Sequence, residues 1–97
     1  MDYQDIRSIG DVLRQTIEET NMQTRLDELR AAELWPHIVG EYVASLTKRP
    51  FVRSGVMTIG ITDAALRHEL SMHRTSLMRE FNRLMGKEVI HSIRFSG

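Results

Sequence analysis

The sequence contains no cysteine, which excludes a disulfide framework and a thiolate metal site. No apolar run approaches the roughly 20 residues of a membrane helix. The opening stretch, Met1 to Arg7, is polar and carries Asp2 and Asp5, unlike a secretory signal. Together these absences predict a cytoplasmic protein. A nucleophile elbow, a phosphate-binding glycine loop and a dinucleotide fingerprint are also missing, so the expectation is a protein that binds rather than catalyses, with no catalytic residues and no cofactor. What is there is a chain of 97 residues, 41% of them hydrophobic. That suffices for one core in a single domain, 1–97, and is too apolar for a disordered chain.

The net charge of zero conceals a split. Residues 1–45 hold nine acids and four bases, a balance of −5, whereas residues 46–97 hold nine bases and four acids, a balance of +5. Either the two halves attract each other within the fold, or the second half meets an acidic partner.

Periodicity divides the chain. Ser8-Ile9-Gly10-Asp11 reads as a helix start with Ser8 as N-cap, and Ile9, Val12, Leu13 and Ile17 continue it to about Asn21. A second helix is expected from about Thr24 to Leu46, with a kink or restart after Trp35 because Pro36 lacks an amide donor and clashes with the preceding turn. Thr47 to Arg53 reads as a strand, confined to an edge by Pro50. Ser54-Gly55 marks a tight turn, and Val56 to Thr62 follows as a strand whose Met57, Ile59 and Ile61 face the core. Thr62 or Asp63 caps a long third helix to Met85, with Leu66, Leu70, Leu77, Phe81, Leu84 and His73 on its apolar side and Gly86 as its stop. Val89 to Phe95 is the last strand, with Val89, His91, Ile93 and Phe95 on one face. The order α-α-β-β-α-β predicts an α+β fold of two layers, a three-stranded sheet with helices on one face.

The third helix carries the chemistry. Its outward side presents Arg67, His68, Arg74, Arg79, Asn82 and Arg83 among others, while its acids Glu69 and Glu80 sit at one border of the apolar stripe. Lys48, Arg49 and Arg53 add positive charge from the hairpin, and Lys87 from the turn after the helix. Arginine forks suit phosphate or carboxylate, so this surface fits a nucleic acid, an acidic protein face, or simply solvent. Glu69 and His73 share a helical i, i+4 spacing, but one carboxylate and one imidazole fall short of a metal site, and none is expected. Trp35 is either a core residue or an anchor for a protein partner. Met78 and Met85 are either core margin or an adaptable edge.

The run Leu34-Trp35-Pro36-His37-Ile38-Val39-Gly40 resembles the W-x-x-I-V-G signature of a bacterial domain family that includes the replicative-helicase loader DciA. The likeness continues through Thr47 to Phe51, Ser54-Gly55-Val56-Met57-Thr58-Ile59 and Ala64 to Leu70. It ends with Leu84-Met85-Gly86-Lys87-Glu88-Val89-Ile90 and Ile93-Arg94-Phe95, so it covers nearly the whole chain. The resemblance implies a KH-like fold and association with DNA replication through a DnaB-type helicase and DNA; that no membrane partner is expected follows from the lack of a long apolar run. The sequence carries no G-x-x-G, the loop with which nucleic-acid-binding KH domains clamp a backbone.

Overall fold

A computed structural model describes the backbone of residues 3–97 and the side chains from Ser8 onward. The first element is one uninterrupted helix, α1 (Tyr3–Glu33), where the sequence reading placed two. Nothing between Asp11 and Glu33 breaks it. Thr16, Thr20 and Thr24, which disfavour helices when their hydroxyls compete for the backbone, instead donate to the carbonyls of Val12, Thr16 and Thr20 at 2.8–3.0 Å. Ser8 therefore lies inside the helix and caps nothing.

Pro36 breaks the chain as expected, but the restart is at Trp35, so that proline occupies the first turn of α2 (Trp35–Val39), where its missing donor has no helical partner to lose. Gly40 then adopts φ 87° and ψ 156°, a conformation open in practice to glycine only, and separates α2 from α3 (Glu41–Ser45). The expected second helix is thus three pieces: the end of α1, then α2 and α3.

Strand β1 is Phe51–Arg53, shorter than predicted: Thr47 to Pro50 lies outside it and joins the sheet only through the Lys48 amide, which donates to the Gly60 carbonyl at 2.8 Å. Strand β2 is Val56–Gly60. Ser54 and Gly55 both have positive φ (52° and 79°), the geometry of a type I′ hairpin turn. Asp63 caps the next helix by accepting from the Leu66 amide at 2.8 Å. That helix is not continuous: α4 (Ala64–Met72) ends at His73, and α5 (Arg74–Met85) begins beyond it. His73 is exposed at this break, not on an apolar stripe. Gly86 stops α5 in the left-handed conformation. The last strand, β3, is Ser92–Ser96. Val89 and His91 lie outside it, and Ile90 rather than either neighbour is buried.

The sheet order is β1-β2-β3, antiparallel across the hairpin and parallel between β2 and β3. Helices cover one face, the α+β, KH-like arrangement. The core lies between the layers: Met57, Ile59, Ile61 and Ile93 from the sheet side meet Ala31, Trp35, Leu70 and Phe81 from the helices. Trp35 is the centre of this layer, stacked on Phe81 with ring centroids 6.0 Å apart and planes at 9°. Its indole Nε1 donates to Thr47 Oγ1 at 2.9 Å, so burial leaves no orphan donor.

Asn82, read from the sequence as outward, turns inward and holds the connection from α5 to β3. Its Oδ1 accepts from the amides of Val89 and Ile90 at 2.9 and 2.8 Å, and its Nδ2 donates to the Ile90 carbonyl at 2.9 Å. An Asn82→Ala variant leaves two partly buried amides unpaired and is expected to lose about 2–3 kcal/mol of stability in urea unfolding. Asn82→Asp retains both acceptor bonds and is expected to recover part of the loss.

Candidate functional site

The break at His73 divides the predicted basic helix face. Arg67 lies on α4 and is half-buried, its Nη1 donating to the Ile61 carbonyl at 2.7 Å. It fastens the helix to the sheet. Arg83, on α5, forms a two-pronged pair with Glu80, Nε to Oε2 at 3.0 Å and Nη2 to Oε1 at 2.5 Å. That pairing raises the Arg83 pKa and holds the Glu80 carboxyl below its ordinary value. Arg83, placed on the outward basic side by the sequence, is thus neutralised by Glu80 from the border of the apolar stripe. Lys87 is neutralised too, its Nζ lying 2.6 Å from Asp27 Oδ2 on α1. This bridge joins the acidic first half to the basic second half.

Arg74 and Arg79 remain exposed on α5. The Arg74 guanidinium lies over the Phe95 ring, 5.8 Å from its centroid. Lys48, Arg49 and Arg53 are exposed on and beside the hairpin. To these the structure adds Arg94, a residue that sequence reasoning missed. The signal was present: Arg94 alternates with the inward Ile93 and Phe95, and so faces away from the helices with Arg53. Among the described residues, none of these six cations has an acidic ion-pair partner.

Trp35 is not an external anchor. It is 1% exposed and belongs to the core. Met78 and Met85 are core margin, packed against the buried cluster. The exposed apolar groups are elsewhere. Ile9, Val12, Leu13 and Ile17, the apolar residues at helical spacing near the start of the chain, are all exposed on α1. Helical spacing places Ile9, Leu13 and Ile17 on the same side of α1 as the buried Ala31, so the helix carries its apolar stripe beyond the body of the domain.

Asp27 positions α1. Its carboxylate is almost buried, bridged to Lys87 and accepting from Gln23 Nε2 at 3.0 Å. The Lys87 ammonium is the main cause of a pKa below the ordinary aspartate value. A lowered pKa in the folded state stabilises the fold at every pH above the unfolded value and ceases to do so as pH falls through the folded value. Thermal melts of the wild type and Asp27→Asn are thus expected to differ by a constant amount from pH 8 to about pH 5, and to converge on acidification below about pH 4.

The clefts offer little chemistry. One of about 470 Å³ between α1 and β1 has Leu29, Ala32, Phe51 and Val52 in its lining, with Arg25, Arg49 and Glu28 as its charged groups. Glu28 accepts from the Gly55 amide at 3.2 Å. The His73 and Glu69 side chains lie 3.5 Å apart on the surface. Among the described residues, no three histidines or carboxylates lie close enough to hold a metal ion. Among the described residues, no helix is long and apolar enough to cross a membrane.

In comparison with known families, the chain matches the family described as "Dna[CI] antecedent, DciA" over residues 8–95. No curated protein matches the sequence.

Proposed function

The chain belongs to the DciA family, a helicase-associated family of bacterial DNA replication, and from that premise we propose that it is a non-enzymatic adaptor engaging the replicative helicase and DNA. The observation that supports the DNA side is the set of cations without acidic partners among the described residues: Lys48, Arg49 and Arg53 at the hairpin, Arg94 on β3, and Arg74 and Arg79 on α5. Their guanidinium and ammonium donors are available to phosphate oxygens. Arg67 and Arg83 have smaller parts in this reading, being held by Ile61 and Glu80.

A protein partner is favoured by a different observation. The stripe of Ile9, Leu13 and Ile17 on α1 is about half exposed or more, with acids Asp11, Glu18 and Glu19 beside it. An apolar helix face with a polar rim is suited to a groove or helix of another protein. The helicase would meet this arm, leaving the basic surfaces for DNA. The second reading, a protein-only module that docks an acidic or apolar surface, uses the same stripe and assigns no role to DNA.

A pull-down from native lysate, run with and without nuclease, separates the two. Recovery of the helicase in both samples supports direct engagement. Recovery only without nuclease means that DNA bridges the two proteins. A partner other than the helicase in both samples, with no DNA retained at low salt, favours the protein-only reading.

A further inference from the structure

The face of the sheet turned away from the helices has a composition of its own. Strand register aligns Phe51 with Thr58 and Thr58 with Arg94, so these three form one row across all three strands. The adjacent row, Val52, Met57 and Ile93, points into the core, with Met57 and Ile93 buried, which fixes the first row as outward. Phe51 is 58% exposed, a large aromatic residue that also borders the cleft between α1 and β1.

Cations flank that ring on both sides. Arg53 lies two positions along β1 from Phe51, on the same face. Lys48 comes from the other direction: its amide bonds to the Gly60 carbonyl at 2.8 Å, and its side chain crosses the sheet directly over Gly60. A Cβ at Gly60 would stand 2.8 Å from Lys48 Cδ, so the glycine makes room for this stem. The other outward strand positions, Val56, Ser92 and Ser96, are uncharged. No strand residue on this face is acidic, although the chain as a whole has equal numbers of acids and bases.

A solvated sheet surface requires charge but not charge of one sign, and it does not require an exposed phenylalanine at its middle row. An aromatic face amid cations matches the two parts of a single nucleic-acid strand, a planar base and its phosphates. A duplex fits less well, because its bases are already stacked and the flat sheet has no projection to enter a groove. We propose that this uncovered sheet face is a platform for a single strand of DNA. Phe51 stacks on a base, Thr58 lies beside it as a hydroxyl partner, and Lys48, Arg53 and Arg94 contact the flanking phosphates. The inference rests on the reading of the chain as a DNA-engaging protein and adds the site and the strand state. It supplies a route to nucleic acid that needs no G-x-x-G loop.

The test is fluorescence anisotropy at low salt with the full chain, using a labelled oligothymidylate of about 12 nucleotides and an abasic strand of equal length. The wild type is expected to bind the thymidine strand about 5- to 100-fold more tightly than the abasic one, the range that one base-aromatic stack provides. Phe51→Ala and Phe51→Leu are expected to abolish most of that preference while leaving the salt dependence unchanged, and Phe51→Tyr to keep it. Circular dichroism verifies that each variant folds, and the leucine variant preserves apolar bulk if alanine perturbs the hairpin. Unaltered thymidine binding in both Phe51→Ala and Phe51→Leu, with weaker binding in Arg53→Glu, would overturn the platform and leave the broader DNA reading intact. Absence of binding to either strand by the wild type would overturn both.

Discussion

Replacing Trp35 with alanine is expected to destabilise the domain by about 3–5 kcal/mol, the range for removing a large buried aromatic. The ring is 1% exposed, stacks on Phe81, and fills the space between α2, α5 and the sheet. Small domains have only about 5–15 kcal/mol in total, so this variant should lose from about a fifth to all of its stability. The Thr47 hydroxyl would not be stranded, because it also donates to the Ala44 carbonyl at 2.8 Å. Trp35→Phe keeps the stack and loses the indole hydrogen bond and some volume, so its loss should be under half as large. Urea unfolding of the three proteins measures the series. A loss below about 1 kcal/mol for Trp35→Ala would remove Trp35 from the centre of the core.

The second large effect is on DNA. The double variant Arg53→Glu/Arg94→Glu reverses two cations that share one sheet face and are free of ion pairs among the described residues. Affinity for single-stranded DNA at low salt should fall by about 10- to 100-fold, since two phosphate contacts are lost and two repulsions introduced. Both side chains are exposed, so stability should change by no more than about 0.5 kcal/mol per site. Arg83→Glu is the contrast. Arg83 is already paired with Glu80, so its reversal removes little positive potential from the sheet face and should reduce affinity by no more than about threefold. Equal losses for the two variants would show that long-range charge, and not the sheet face, governs binding.

Much of the fold was legible because its signals are local. Ser54-Gly55 stands where the turn needs two positive φ values, Gly86 where the α5 cap needs a left-handed residue, and Asp63 three residues before the amide it caps. Met57, Ile59 and Ile61 alternate along their segment as buried strand positions do. The order of short motifs added the family. What was not legible depends on partners distant in sequence. Periodicity marks Ile9, Leu13 and Ile17 as apolar but cannot say whether anything covers them, and among the described residues all three stay about half exposed or more. Asn82 was assigned outward because its helical angle is polar, while its bonds go to the chain beyond Gly86. The break at His73 left no proline or glycine as a marker. Of the candidate site residues, Arg67, Arg83 and Trp35 have partners within the fold that grouping by helical angle did not show. Arginines were grouped by helical angle, but Arg67 and Arg83 are satisfied by a carbonyl and a carboxylate, and the row of Phe51, Thr58 and Arg94 exists only once strand register is known. The Arg83–Glu80 pair was readable in principle, being i, i+3 on one helix.

The salt dependence of wild-type binding to oligothymidylate tests most directly whether the unpaired cations of the second half hold DNA. With three to four of them on phosphates, a plot of log affinity against log salt should be linear with a slope of about −2 to −3. A slope near zero, or no binding at the lowest salt, would contradict a DNA-holding role for these residues.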